Sequence, residues 1–581
     1  MLIQSLLFPS EETCTVKELY FREEEKTLVF DTYFNILSIA KWKEYTTIRQ
    51  FSLVLKVKGS FAVGFYDEKG LLESSKYGSD EVKEYHIPVP CRENSQCVWF
   101  SFTPEGDAEI ISGGYETPEE PVHDVRIACD ICTFRREPYV RHNLELLKKN
   151  LLTNEESPVY GHLEIFVVDN GRTLKKEEVE TDHIYLYPNM NAGGSGGFTR
   201  GLIEINKRKD ELGLTHMIFM DDDAKMETDA LVRTYALLSY ISPKWEKACV
   251  SGAMLREDIP YASHEAGSHW TGLDPWTRYF GLDLRPRENV LMNETMDYPD
   301  YAAWWYACYP LSVATMDNLP LPLFIHNDDT EYGLRNQNGF ILMNGICVWS
   351  PGFENKRASS LSYYDVRNCM IVNALYKEDG NLDAMKMYCR KRILANTLRY
   401  RYDDALLVVK AVEDFLKGPE YLCTPDPQEK NTEVMNAGYK LKPAEDLTGD
   451  LDALCKIYSY KDPDQVDAIY NNMKKKNKWF YALTANGWLF PAKSDKVYPF
   501  PMGIWPFDLY RKKEIILFDP DTHKGIYGKK SYAMLFRSLQ AYLQICSMLK
   551  KDYARVQKEY RDAFGYLTGY KCWKGYLKLD E

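Results

Sequence analysis

Thr215-His216-Met217-Ile218-Phe219-Met220-Asp221-Asp222-Asp223-Ala224 is the stretch whose reading decides the fold. An apolar run of strand-forming residues stops at three consecutive carboxylates, which reads as a strand carrying acids to a sheet edge. Open parallel sheets present ligands at the carboxyl ends of their strands. Hard oxygen ligands in such a place suit Mg²⁺ or Mn²⁺ carrying a diphosphate. Alone, the triplet reads sooner as a solvated turn. Its weight comes from the segments around it.

Upstream, Val125 to Cys132 reads as a strand, and Val140, Leu144, Leu147 and Leu151 fall at helical spacing between Tyr139 and Leu152. Strands follow at Leu163 to Val168 and Ile184 to Tyr187, then a helix after Phe198. Alternating strands and helices imply a doubly wound, mainly parallel sheet. Its strand ends carry Thr133-Phe134-Arg135-Arg136, Asp169-Asn170-Gly171 and the Gly-rich run Asn191 to Phe198. Such a run can bring backbone N–H groups close to phosphate, and it serves equally as a plain flexible turn. Neither the dinucleotide fingerprint nor the P-loop is completed here.

Downstream, Asp229 to Tyr240 reads as a helix, and Ser263 to Trp270 mixes titratable and aromatic side chains in a loop. Tyr301 to Tyr306 is an aromatic block, read either as core or as the wall of a sugar site. Asn327-Asp328-Asp329-Thr330-Glu331 supplies a second acid group about a hundred residues after the first. One acid group at a helix start is ordinary capping. Two in one domain favour chemistry.

The 581 residues exceed one core, and roughly three domains are expected. A formal charge of -13 argues against general nucleic-acid binding. The 14 Cys lack paired metal-ligand spacing, so Cys129 and Cys132 read as buried thiols in a reduced, cytosolic setting. Leu2 to about Val122 shows short alternating strands expected to form a β-sandwich. No run is long enough to span a membrane, so contact with the inner face of the plasma membrane would be peripheral. From about Leu361 the chain reads as mainly helical, with Thr424 to Pro443 as a linker. Leu535, Phe536, Leu539, Tyr542, Leu543, Cys546 and Leu549 form one apolar stripe that packs on the body or on a sister subunit, so a homo-oligomer is expected. Lys571, Lys574 and Lys578 among Tyr570, Trp573 and Tyr576 give a faint membrane-surface signal.

With these segments placed, the chain resembles the galactofuranosyltransferases of the mycobacterial cell-wall galactan type, inverting enzymes of glycosyltransferase family two. The resemblance runs in order through Val16 to Tyr20, Asp31 to Asn35, Cys132 to Arg136, Asn191 to Phe198, Asp221 to Asp223, Trp304-Trp305, Asp328 to Arg335 and Val348-Trp349. It implies a β-sandwich (1–122), a central GT-A domain (123–378) and a C-terminal helical domain (379–581). It further implies transfer of galactofuranose from UDP-galactofuranose to a glycan or lipid-linked glycan acceptor.

Carried over by position, Phe134, Arg136, Asp169, Asn191 and Asp222 would hold the nucleotide, and Asp221 and Asp223 a Mn²⁺ or Mg²⁺ ion. Trp304, Trp305, Glu265 and His264 would line the sugar and acceptor sites. Asp329, or less directly Asp328, would be the base. One departure stands out: Ser350 occupies the place of a metal-ligand His in the family. Another nucleotide sugar as donor, or a glycan-binding scaffold with a decayed transferase core, are the competing readings.

Overall fold

The computed structural model describes residues 1–352, 358–378, 381–447, 478–493, 496–519 and 522–579. Residue 379, the expected start of the C-terminal segment, lies outside the described residues. The first segment is one six-stranded antiparallel sheet built on three long strands, Ser52–Asp67, Gly70–Pro88 and Trp99–Glu116. Period-two alternation turns Leu53, Leu55, Val57, Phe61 and Val63 inward, where all are buried. The short strands expected in this segment are thus merged around Gly59 into the single strand Ser52–Asp67. Gly59 adopts φ +95 where the pairing register shifts, so the strand bends without ending. A single continuous sheet stands where two facing sheets were expected.

The central sheet has seven strands in the order Phe340–Ile341, Cys249–Ser251, Ala307–Pro310, His216–Asp221, Ile127–Thr133, Leu163–Asp169 and Ile184–Pro188. The last four are mutually parallel, as the alternating pattern requires. Ala307–Pro310 runs antiparallel to both neighbours, which makes the sheet mixed.

Helix Gly193–Leu212 lies against this sheet with a glycine edge. A Cβ on Gly197 would fall 2.0 Å from Cys132 Sγ, and one on Gly201 would fall 1.9 Å from Asp130 Oδ1. Four residues apart on one face, these glycines let the helix close on strand Ile127–Thr133. Within the Gly-rich run, Gly197 thus answers helix–strand packing.

Helices Leu361–Tyr376, Leu382–Leu398, Tyr402–Leu416 and Tyr532–Leu567 share a second core around Met370, Ile393, Val408, Phe415, Ile545 and Val556. Three expectations are corrected in this part. The supposed linker contains helix Pro427–Ala437, which Asp426 caps through Gln428 N (2.9 Å) and Glu429 N (3.1 Å) with Pro427 in the first turn. A four-stranded sheet, Lys442–Pro443, Lys524–Lys529, Glu514–Asp519 and Val497–Pro501, sits among the helices. The apolar stripe is offset: the long helix buries Ala541, Ile545, Leu549 and Tyr553, whereas Phe536 and Leu543 are 63% and 67% exposed. In the tail, Trp573 and Tyr576 are buried in helix Tyr570–Tyr576, so its aromatic residues belong to the core. Among the described residues no helix is long and apolar enough to cross a membrane.

Gly201→Ala forces a methyl group onto the Asp130 carboxylate. It is expected to lower stability by about 1–3 kcal/mol, the range for overpacking a tight core, measured by denaturant unfolding.

Candidate active site

Asp221 ends its strand beside Cys132, and the two following acids turn back onto the loop after strand Ile127–Thr133. Thr133 Oγ1 donates to Asp222 Oδ2 at 2.7 Å, and Arg136 donates to Asp222 Oδ1 at 3.3 Å and pairs with Asp223. Asn143 Nδ2 donates to the carbonyls of Asp222 (2.9 Å) and Ala224 (3.0 Å), fixing the turn from below. Asp222 is only 6% exposed; Asp221 and Asp223 are half-buried. Burial raises Asp222 above the usual carboxylate range, while Thr133 and Arg136 pull it back.

The neighbouring strand ends are tied together by side chains. Asp169 accepts from Gly171 N (2.8 Å), Thr173 N (2.6 Å) and Leu174 N (2.8 Å), so its carboxylate shapes the turn. Asn191 Oδ1 accepts from Gly193 N at 3.1 Å. Asn170, which the sequence reading quoted without a role, donates to Gly193 O at 2.9 Å and accepts from Asn189 Nδ2 at 2.8 Å. Phe134 is 42% exposed, with the Arg135 guanidinium 5.3 Å from its ring centroid.

The second acid group opens helix Asp328–Arg335. Asp329 Oδ1 accepts from Thr330 N at 2.6 Å. Burial lifts Asp328 to about 7, with the Asp329 charge adding to it, and burial likewise raises Asp329. Glu265 is close enough to feel Asp329: burial foremost, then that charge, push it up to about 7, and its Oε1 is buried without a hydrogen-bond partner. His264 packs on Phe280, ring centroids 5.1 Å apart.

The tryptophans are more structural than the sequence reading held. Trp304 stacks on Phe219 at 4.6 Å within the core, and its buried indole N–H has no partner. Trp305 is buried and donates to Gly252 O at 3.0 Å. Ser350 ends strand Cys347–Ser350, whose Trp349 exchanges backbone hydrogen bonds with Lys225 at 2.7 and 3.0 Å, so it lies beside the first acid turn. Among the described residues no three His, Cys, Asp or Glu side chains are grouped to hold a metal ion.

Burial raises the Cys132 thiol, and the charges of Asp130, Asp222, Asp221 and Asp328 add to that rise. Asn170 Nδ2 reaches both Cys132 Sγ (3.4 Å) and Gly193 O (2.9 Å), and Ser195 N donates to Phe324 O at 3.2 Å, so the strand end beside Asp221 is tied to the turn before Asp328.

A family model of the galactofuranosyltransferase 2 N-terminal region matches residues 22–118. Galactofuranosyltransferase GlfT2 of Mycolicibacterium smegmatis is 24% identical over 599 residues, which cover 95% of this chain and 89% of the relative. This protein is a glycosyltransferase. GlfT2 of Mycobacterium tuberculosis is 26% identical over 437 residues, 68% of this chain and 66% of its own. A solved glycosylation-associated protein complex from Streptococcus agalactiae is 10% identical over 32% of the glycosyltransferase chain and 78% of its own, with a TM-score of 0.12.

A carboxyl raised on folding keeps its proton where the unfolded chain has already lost it. Glu265 therefore withdraws stability as pH climbs from about 4.5 to about 7. Glu265→Gln is expected to match the wild type at pH 5 and to exceed it by about 1–3 kcal/mol at pH 8, measured by urea unfolding at both pH values.

Proposed function

We propose that this glycosyltransferase moves galactofuranose from UDP-galactofuranose to a hydroxyl of a glycan or lipid-linked glycan, with inversion, on a GT-A-like central domain. The observation that carries the reading is that hydrogen bonds through Asn170, Gly193 and Ser195 tie the strand end beside Asp221 to the turn before Asp328. The names of the two relatives support the sugar.

The chemistry needs both groups. As the acceptor oxygen bonds to the anomeric carbon, its proton passes to Asp329, and the bond to the diphosphate breaks with its electron pair leaving on UDP. Asp329 serves as base because Asp328, lifted to about 7, retains a proton and leaves its neighbour free to accept one. Glu265, also near 7, stands at the acceptor side as a hydrogen-bond partner for sugar hydroxyls. Arg136 neutralises Asp222 and Asp223 in this structure, and its guanidinium suits a diphosphate equally well.

Asp221 and Asp223 fit Mg²⁺ or Mn²⁺, because such ions bind through one or two carboxylates completed by substrate phosphates. The Ser350 hydroxyl is a poorer ligand than imidazole, so the protein's share of the coordination rests on the two acids. When bound, the ion would draw charge from the departing diphosphate. Exposed Phe536 and Leu543 support self-association through the long helix in the same reading.

Purified protein incubated with an acceptor and UDP-galactofuranose, UDP-galactopyranose or UDP-glucose, with and without Mn²⁺, is expected to release UDP fastest from the furanose donor with Mn²⁺. Preference for another donor changes the substrate, and no release from any of them leaves a glycan-binding scaffold. Asp329→Asn is expected to lower turnover by about 10²–10⁴-fold, the usual weight of a general base, while calorimetry shows unchanged UDP binding. Near-normal turnover removes Asp329 from the role.

A further inference from the structure

The turn that delivers the second acid group is held in an unfavourable backbone by helix Leu361–Tyr376. Phe324, His326 and Asn327 sit in the left-handed region at φ 72, 65 and 62. Non-glycine residues there cost about 1–3 kcal/mol each and persist only where neighbours over-determine them. Fully buried Asn368 directs its Nδ2 at the carbonyls of Leu323 (3.1 Å), Ile325 (2.8 Å) and His326 (2.8 Å). Arg367 donates to Leu323 O at 2.7 Å.

One turn before Asn368 on the same helix face, Asp365 Oδ1 lies 2.8 Å from His326 Nδ1. Arg392 of the next helix stands 3.4 Å from the other Asp365 oxygen, and its guanidinium also donates to Tyr388 Oη at 2.6 Å. A carboxylate fixed in this way binds one face of the imidazole and favours its charged form.

We propose that Asp365 is a positioning residue for transfer: through its 2.8 Å contact with Nδ1 it holds the His326 imidazole on the turn that carries Asp328 and Asp329. The proposal rests on the reading of Asp329 as base.

Partial burial opposes charge on His326, whose side chain is 47% exposed, and among the described residues the carboxylates of Asp365, from the helix, and of Asp328 and Asp329, from its own turn, raise the ring above the ordinary imidazole value. In the other direction the His326 charge lowers both aspartates against the burial that raises them. Without Asp365 the ring turns neutral at lower pH, the pair binds its protons more tightly, and a higher pH is needed to free the base.

The test uses the full chain carrying Asp365→Asn or Asp365→Glu beside the wild type, with two readouts. Imidazole NMR titration of His326, assigned from the signal lost in His326→Gln, follows the ion pair whether or not the protein turns over. In Asp365→Asn the His326 midpoint is expected to fall by about one unit or more, the size of effect a close opposite charge exerts.

The pH profile of UDP release follows the consequence. Its acid limb is expected to move upward by about one unit, with the donor KM within about twofold and kcat at pH 7 reduced about tenfold. Asp365→Glu is expected to restore most of both. A folded Asp365→Asn whose acid limb and His326 midpoint match the wild type overturns the proposal. If Asp365→Asn fails to fold, His326→Gln must show the same acid-limb shift, and a profile like the wild type's overturns it. If the wild type releases no UDP from any UDP-sugar, the functional reading fails, while an unmoved His326 midpoint in Asp365→Asn still sinks the ion pair on its own.

Discussion

The contact between Gly193 and the carbonyl of Phe324 is the constraint on which the site depends. Gly193 adopts φ +73, and a Cβ there would fall 1.9 Å from the Phe324 oxygen, so no other residue fits without moving the turn. The same carbonyl accepts from Ser195 N at 3.2 Å, while Ser195 Oγ donates to Leu321 O at 2.6 Å. Through this junction the turn after strand Ile184–Pro188 and the turn before Asp328 hold one another. Two acid groups far apart in sequence reach one place because a glycine permits two backbones to touch. The edge of Gly197 and Gly201 on strand Ile127–Thr133 extends the same close packing along the helix.

The two acid groups keep their charge in different ways. The first lies against cations and donors: Arg136 on Asp222 and Asp223, Thr133 on Asp222. Such a cluster is ready to exchange one cation for another. The second group is buried and crowded, with Asp328, Asp329 and Glu265 all raised, and burial is the largest cause for each. Asp328 and Glu265, both at about 7, hold protons near neutrality. Environment therefore divides similar side chains into a charge-binding group and a proton-handling group.

Much of the central sheet was legible because its signals are local. The run ending in Asp221, the strands at Ile127 and Leu163 and the helix from Asp229 follow from periodicity and abrupt changes of polarity. What was hidden depends on contacts distant in sequence. The glycines after Asn191 look like a phosphate turn until Cys132 and Asp130 are seen beneath Gly197 and Gly201. Trp304 and Trp305 read either as core or as a sugar wall, and their contacts with Phe219 and Gly252 could not be read from the sequence. Pro427 suggested a linker, yet Asp-Pro followed by Gln-Glu is a capped helix start. The offset of the long helix's buried face follows from which residues meet helices Leu382–Leu398 and Tyr402–Leu416, and no periodicity within one helix contains that information.

The helical part also determines where Asp329, the proposed base, stands. Leu319 N donates to Thr568 O at 2.9 Å, and Trp573 Nε1 donates to Pro320 O at 2.8 Å. Arg367 and Asn368 then take the carbonyls from Leu323 to His326. The approach to Asp328 is thus hydrogen-bonded to later helices at Leu319, Pro320, Leu323, Ile325 and His326, and to Ser195 of the earlier helix at Leu321 and Phe324. The left-handed residues at 324, 326 and 327 need such external support, because no regular ladder of their own satisfies that backbone. An acid at the start of a short helix would otherwise be free to swing on its turn. With the turn before it held at these carbonyls, Asp329 keeps the fixed reach that its proposed role as base demands, so in that reading the C-terminal helices contribute to the site as well as forming a neighbouring layer.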